Sequence, residues 1–249
     1  MTKLYEKSET GFVILWIVAY VILTSLADRL SESIGIAKSL TAALHLAMAL
    51  VLFFWIRNNG LSCKYGFCRS RLPAKCFLFY IPLAVIASAS LWSGTGPGIG
   101  FPETLLFVIS MCCVGFLEEV IFRGLLFRAM EKDNVNTAVI VSALTFGLGH
   151  IVNLFNGSRQ GMISTVIQIV FAILVGFVLV PIYLHSGSLI PCIVFHSVNN
   201  AVSVFGAEGA MDPKLKTALN IVLIVVVLGG YLIYLVRAFR NKADNSVNT

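Results

Sequence analysis

Glu118, Glu119 and Arg123 stand within six residues of one another inside the apolar run Thr104–Met130, TLLFVISMCCVGFLEEVIFRGLLFRAM. Further along, His150 closes the stretch FGLGH that begins at Phe146, Asn153 follows it, and His196 precedes Asn200 by one helical turn. Carboxylate, imidazole and carboxamide are the groups that take a proton from water and donate hydrogen bonds to a developing oxyanion. An ionisable side chain at the centre of a bilayer costs roughly 2.5–3.5 kcal/mol on translocon scales. Three of them so close together must face a protein interior or a water-filled cavity.

Helical spacing sorts these residues into pairs. Positions i and i+4 share a face, which sets Glu119 over Arg123, Phe146 over His150 and His196 over Asn200. The planar guanidinium fork of arginine suits a carboxylate, so Glu119 is expected to be held by Arg123. Glu118 lies about 100° further round the helix and is expected to point elsewhere, free to act as a base or a ligand. The competing reading of the charged trio is a salt-bridge network that locks helices together. For His196 or Asn200 alone, interhelical hydrogen bonding would suffice. Together with Glu118 and His150 they read instead as a site. Gly147 and Gly149 would allow close helix approach beside His150. His45 reads as a packing histidine in the core and His185 as a loop residue beside Ser186–Gly187. The chain has neither Gly-x-Ser-x-Gly nor His-Glu-x-x-His, which leaves water, activated by carboxylate and imidazole, as the chemistry on offer.

Long apolar elements must position these groups. The chain is 58% hydrophobic and 12% charged, about half the charge of a soluble domain, so the fold class is an all-α polytopic membrane protein. Taking about 20 apolar residues per crossing, there are about eight transmembrane helices, at 11–27, 39–56, 76–92, 104–127, 136–155, 161–184, 188–205 and 217–236. Polar residues interrupt the fifth and seventh most. The chain divides into three N-terminal helices with a basic loop (1–103), a core that carries the polar motifs (104–206), and a last helix with a polar tail (207–249).

With the N-terminus inside, thirteen of the 18 Lys and Arg fall on the cytoplasmic side. Only Arg29, Lys38, Arg159, Lys214 and Lys216 face out, so both termini are expected to be cytoplasmic. The net charge of +6 then belongs to membrane boundaries and not to nucleic acid binding. Arg57–Lys75, which interleaves Leu61, Tyr65, Phe67 and Leu72 with five basic residues, reads either as a segment on the inner headgroup surface or as a plain basic loop. The six cysteines, Cys76 among them, show no disulfide or zinc spacing.

Glu118-Glu119-x-x-x-Arg123, Phe146-x-x-x-His150 and His196-x-x-x-Asn200, in this order on separate spans, resemble the three motifs of the CAAX prenyl endopeptidase type II family, also called Abi or CPBP. The resemblance covers about 104–206. It implies an intramembrane endopeptidase acting on a membrane-associated peptide or protein, with a site between the motif helices that opens towards the cytoplasm. By position, Glu118 and His150 would activate the attacking water and His196 and Asn200 would stabilise the oxyanion. Glu119 and Arg123 would support the first motif, with Phe146 and Asn153 alongside. The site either works without a cofactor or holds a divalent metal such as zinc on Glu118, His150 and His196, with an open fourth position. The chain looks like a compact bacterial member, set in the plasma membrane. A peptide-binding or bacteriocin-immunity protein of the same fold and, last, a small transporter are the other functions to weigh.

Overall fold

The computed structural model describes residues 1–71, 80–96, 98–155, 161–207 and 211–247. Leu72, Lys75, Cys76, Arg159 and the first residues of the expected third span lie outside these segments. Among the described residues the fold is helical, with no strand and one isolated bridge between Thr95 and Gly206.

Among the described residues six helices are long and apolar enough to cross a membrane: Glu9–Ile34, Ser39–Asn58, Phe101–Glu131, Val135–Leu154, Met162–Ser186 and Lys214–Ala238. Two apolar helices are shorter, Ile81–Leu91 and Ile190–Phe205. All eight expected spans are therefore represented. The fifth is a full-length helix despite its polar residues, and the described part of the third and the whole of the seventh are the short ones. Ile190–Phe205 would reach only about 24 Å at 1.5 Å per residue, against a hydrocarbon core of roughly 30 Å. In chain order the α-helices are α1 (Thr2–Lys7), α2 (Glu9–Ile34), α3 (Ser39–Asn58), α4 (Ile81–Ser88), α5 (Phe101–Glu118), α6 (Arg128–Glu131), α7 (Val135–Gly149), α8 (Met162–Ser186), α9 (Ile190–Val202), α10 (Pro213–Val222) and α11 (Gly230–Val247).

Polar contacts between loops define the two ends of the bundle. At one end Glu9 meets Lys64 at 2.6 Å and Lys132 at 3.0 Å. At the other, the Ala37 amide donates to Glu103 at 3.0 Å and Arg29 donates to the Phe155 carbonyl at 2.8 Å. Alternating helix direction brings α11 back to the Glu9 end. The basic segment after α3 is neither a free loop nor an isolated surface strip over its described part. Tyr65 is buried, the Leu189 amide donates to the Gly66 carbonyl at 2.9 Å, and the Arg71 amide donates to the Ser186 carbonyl at 2.7 Å. Gly66 is left-handed with φ +75°, and a Cβ there would collide with Leu189 and Tyr183.

Between α5 and α6 the helix winds as a π-helix over Glu119–Phe127, and all nine of these residues are buried. A stretch of π-helix is uncommon and recurs at functional sites, because it re-aims side chains. The wider turn leaves backbone carbonyls seeking other donors, and the Ser142 hydroxyl of α7 donates to the Phe122 carbonyl at 2.9 Å. The segment packs against α7 on one side and α2 on the other, and α5 packs against α3 and α9. The charged run of the sequence thus passes through the centre of the molecule.

Candidate functional site

Four side chains form one row in the interior: Glu118, His196, Glu119 and Arg123. His196 Nδ1 lies 2.8 Å from Glu119 Oε1, and its Nε2 lies 3.3 Å from Glu118 Oε2. Arg123 approaches the same Glu119 oxygen at 3.1 Å, with both side chains fully buried. With the imidazole protonated the row alternates in sign and sums to zero, which is how a cluster of charges survives in an apolar bundle. α9 supplies the histidine, and the junction of α5 with the π-helical stretch supplies both glutamates.

Distance and alignment differ for two of these contacts. The Glu118–His196 and Arg123–Glu119 pairs are close enough for ion pairing, yet Glu118 Oε2, Glu119 Oε2 and the three guanidinium nitrogens have no aligned hydrogen bond among the described residues. Distance governs the Coulomb attraction, so we read both as charge contacts, with the aligned His196–Glu119 bond as the directional one. Arg123 also lies over the face of Phe146, 4.1 Å from guanidinium carbon to ring centroid, as a cation–π contact requires.

The Glu119–Arg123 pair matches its expected placement. Glu118 does point away from Arg123, but it is not free: the Tyr20 hydroxyl of α2 donates to its Oε1 at 2.9 Å. Tyr20 was not singled out from the sequence. The signal was there, since a phenol midway along an apolar span needs a hydrogen-bond partner.

His150 sits where α7 gives way to a 3₁₀ turn, His150–Leu154. Its Nδ1 lies 3.1 Å from the Phe146 carbonyl. A carbonyl only accepts, so Nδ1 carries the proton and the lone pair of a neutral ring is on Nε2. No hydrogen bond among the described residues joins His150 to Glu118 or His196. The Phe146 ring connects them, edge-to-face with His150 at 5.3 Å and with His196 at 5.5 Å. Asn153 donates to Gln168 of α8 at 2.9 Å. Asn200 accepts from Asn199 at 3.3 Å. Beside His150, Gly147 is the glycine that makes a close approach, against Ile173 of α8, while Gly149 faces open space.

Glu118, His150 and His196 are not gathered as a ligand set. Among the described residues no group of three His, Cys, Asp or Glu is placed to hold a metal ion, because His150 is turned onto its own helix and His196 spends both nitrogens on carboxylates. His45 is a packing residue as expected, pinned by Thr24 at 3.0 Å and Ser110 at 2.9 Å. His185 lies in the last turn of α8, not in a loop.

A cavity of about 1090 Å³ is lined by Lys38, Trp92, Phe107, Gln168, Phe171, Asn199 and Lys216 among others, and by none of the four residues of the row. It touches the site through Gln168, the partner of Asn153, and through Asn199, the partner of Asn200. It lies at the Lys38 end, whereas the family resemblance led us to expect an opening at the basic, cytoplasmic end. The buried residues of Glu119–Phe127 close the interior towards Glu9.

A family model described as type II CAAX prenyl endopeptidase Rce1-like matches residues 100–202. No curated protein and no solved structure is a match. The matched segment begins at the N-cap of α5 and ends with α9, so it contains every residue of the three motifs. Over residues 100–202 the chain is thus similar to the type II CAAX prenyl endopeptidases of Rce1-like type.

Proposed function

We propose that the protein is an intramembrane endopeptidase that hydrolyses a peptide bond of a membrane-associated peptide or protein. The observation that carries this reading is the facing pair Glu118 and His196 Nε2 at 3.3 Å, backed by Glu119 and Arg123 inside the bundle. Glu118 takes a proton from a water as its oxygen attacks the scissile carbonyl carbon. The proton then passes to the amide nitrogen as the C–N bond breaks, which leaves a carboxylic acid and an amine. His150, whose Nε2 is the acceptor nitrogen, assists in orienting the water. His196, aligned through Nδ1 by Glu119, swings its Nε2 contact from Glu118 to the developing oxyanion, with the Asn200 amide as second donor. The roles of His150 and Asn200 follow the family pattern, and the roles of Glu119 and Arg123 follow the distances.

The protein works in a bacterial plasma membrane, with the Glu9 end and both termini in the cytoplasm. The grouping of Lys64, Arg71 and Lys132 at that end supports this orientation. Mass spectrometry of membrane peptides from wild-type and Glu118→Ala cells tests the activity, and an identical set of peptides in both would overturn it.

One observation favours a second reading. Both His196 nitrogens and both Glu118 oxygens already face partners within the protein, as they would in a protein that binds a peptide without cutting it, for instance in immunity to a bacteriocin. A cellular phenotype that survives Glu118→Gln would select that reading.

A further inference from the structure

Tyr20 lies on α2, outside the family-matched residues 100–202, yet its hydroxyl donates to Glu118 Oε1 at 2.9 Å. Building on the proposed hydrolysis, we infer that Tyr20 is a positioning residue for Glu118. It fixes one carboxylate oxygen and so presents the other, Oε2, to His196 and the attacking water.

Three features of the molecule support this. Tyr20 is 8% exposed, so water does not compete for the phenol, and a hydrogen bond to a charged group counts for more there than at a surface. The ring itself is held, because it packs 5.9 Å from His45, whose two nitrogens are fixed by Thr24 and Ser110. Glu118 also has no rival aligned donor: Arg123, the nearest permanent cation on its own helix, is turned onto Glu119 and Phe146. The groups that face Glu118 are therefore Tyr20 from α2 and His196 from α9, with Glu119 and Arg123 on its own helix. A carboxylate with one aligned bond keeps its rotamer only while that bond lasts.

The test is infrared spectroscopy of ¹³C-glutamate-labelled full-length protein in nanodiscs, which needs no substrate. The carboxyl band of Glu118 is assigned by its loss in Glu118→Gln. In Tyr20→Phe, which keeps the ring and removes the hydroxyl, that band moves to higher wavenumber. In Ser31→Ala, which loosens the same helix through its bonds to Leu40 and Thr41, it stays. A band unmoved in Tyr20→Phe, or moved equally in Ser31→Ala, overturns the inference, and does so whether or not the protein cleaves anything. The functional arm measures the Glu118-dependent peptides. They fall roughly 10- to 100-fold in Tyr20→Phe, as expected on losing a hydrogen bond to a charged group, and are unchanged in Ser31→Ala. A moved band with undiminished peptides would remove Tyr20 from the reaction. Absence of such peptides in wild type would count against the proposed hydrolysis, while the band alone decides whether Tyr20 holds Glu118.

Discussion

Gly115 of α5 meets Ser197 of α9 so closely that a Cβ on the glycine would stand 2.5 Å from the Ser197 backbone nitrogen. The Ser197 hydroxyl donates to the Cys112 carbonyl at 3.0 Å across the same contact. Gly115 precedes Glu118 by one turn and Ser197 follows His196 directly, so this backbone contact sets how near the carboxylate and imidazole can come. Gly115→Ala must push the two helices apart, and overpacking of this kind costs about 1–3 kcal/mol. We expect a lowered thermal midpoint in detergent, together with lost cleavage.

Glu119 and Arg123 are fully buried as a pair. Removing one partner strands the other charge, at a cost of about 3–5 kcal/mol, whereas replacing both by apolar residues can be nearly neutral. Arg123→Met and Glu119→Leu should therefore each destabilise strongly in thermal unfolding, and the double variant should recover most of that loss. Cleavage should not recover, because His196 has then lost the carboxylate that aligns Nδ1.

Phe146 and His150 belong to one motif but answer to different forces. Phe146 is buried against Phe122, His196 and Arg123, and Phe146→Ala should cost about 3–5 kcal/mol in unfolding experiments. His150 is only half-buried, and its Nδ1 bonds to its own helix. His150→Ala should change stability by less than about 1 kcal/mol while it abolishes cleavage. A fully active His150→Ala protein would remove that histidine from the reaction.

The Glu9 end carries a pH-dependent contact of its own. Lys64 donates to Glu9 and to the Tyr5 hydroxyl, each at 2.6 Å. Tyr65 donates to Tyr5 at 2.9 Å and to Glu9 at 3.1 Å. Burial alone would lower the Lys64 ammonium, but its bonds to Glu9 and Tyr5 outweigh that and hold it above its ordinary 10.5. Burial, with the Tyr5 bond and the Glu9 charge, likewise pushes the Tyr65 phenol above its ordinary 10.0. Both raised groups stabilise the fold fully below their unfolded values and lose that contribution as pH climbs through the folded ones. Hydrogen exchange should therefore show α1 loosening in alkali as pH climbs above about 10. The step should shrink in Lys64→Met, because that share is then missing at every pH. Lys64 is partly exposed, so its stabilisation amounts to less than about 1 kcal/mol.

The i to i+4 spacing of Glu119 and Arg123 was sufficient to pair them, because both lie on one helix and neighbours there are dictated by geometry. The same rule set His196 over Asn200, yet the structure ties His196 to two glutamates of another helix. Interhelical partners depend on how α5 and α9 dock, and Gly115 settles that through a contact that spacing within one helix does not encode. Tyr20 escaped for the same reason, being 98 residues from its partner. The π-helical winding left no mark either, since the spacing of Glu119 and Arg123 reads the same on an ordinary α-helix. Apolar length revealed the eight apolar helices, and polar interruptions marked a short helix at the seventh but not at the fifth, which is full-length. Asn153 found Gln168, and His150 kept to its own helix, so neither joins a metal-ligand set with Glu118.

Glu118 is proposed to activate water for peptide hydrolysis within the membrane. The most direct test is Glu118→Gln, a substitution close to isosteric that removes the base and keeps the shape, compared with wild type in reconstituted proteoliposomes supplied with the host's membrane peptides. We expect peptide products from wild type and none from Glu118→Gln at equal folded protein. Equal products from both would contradict it.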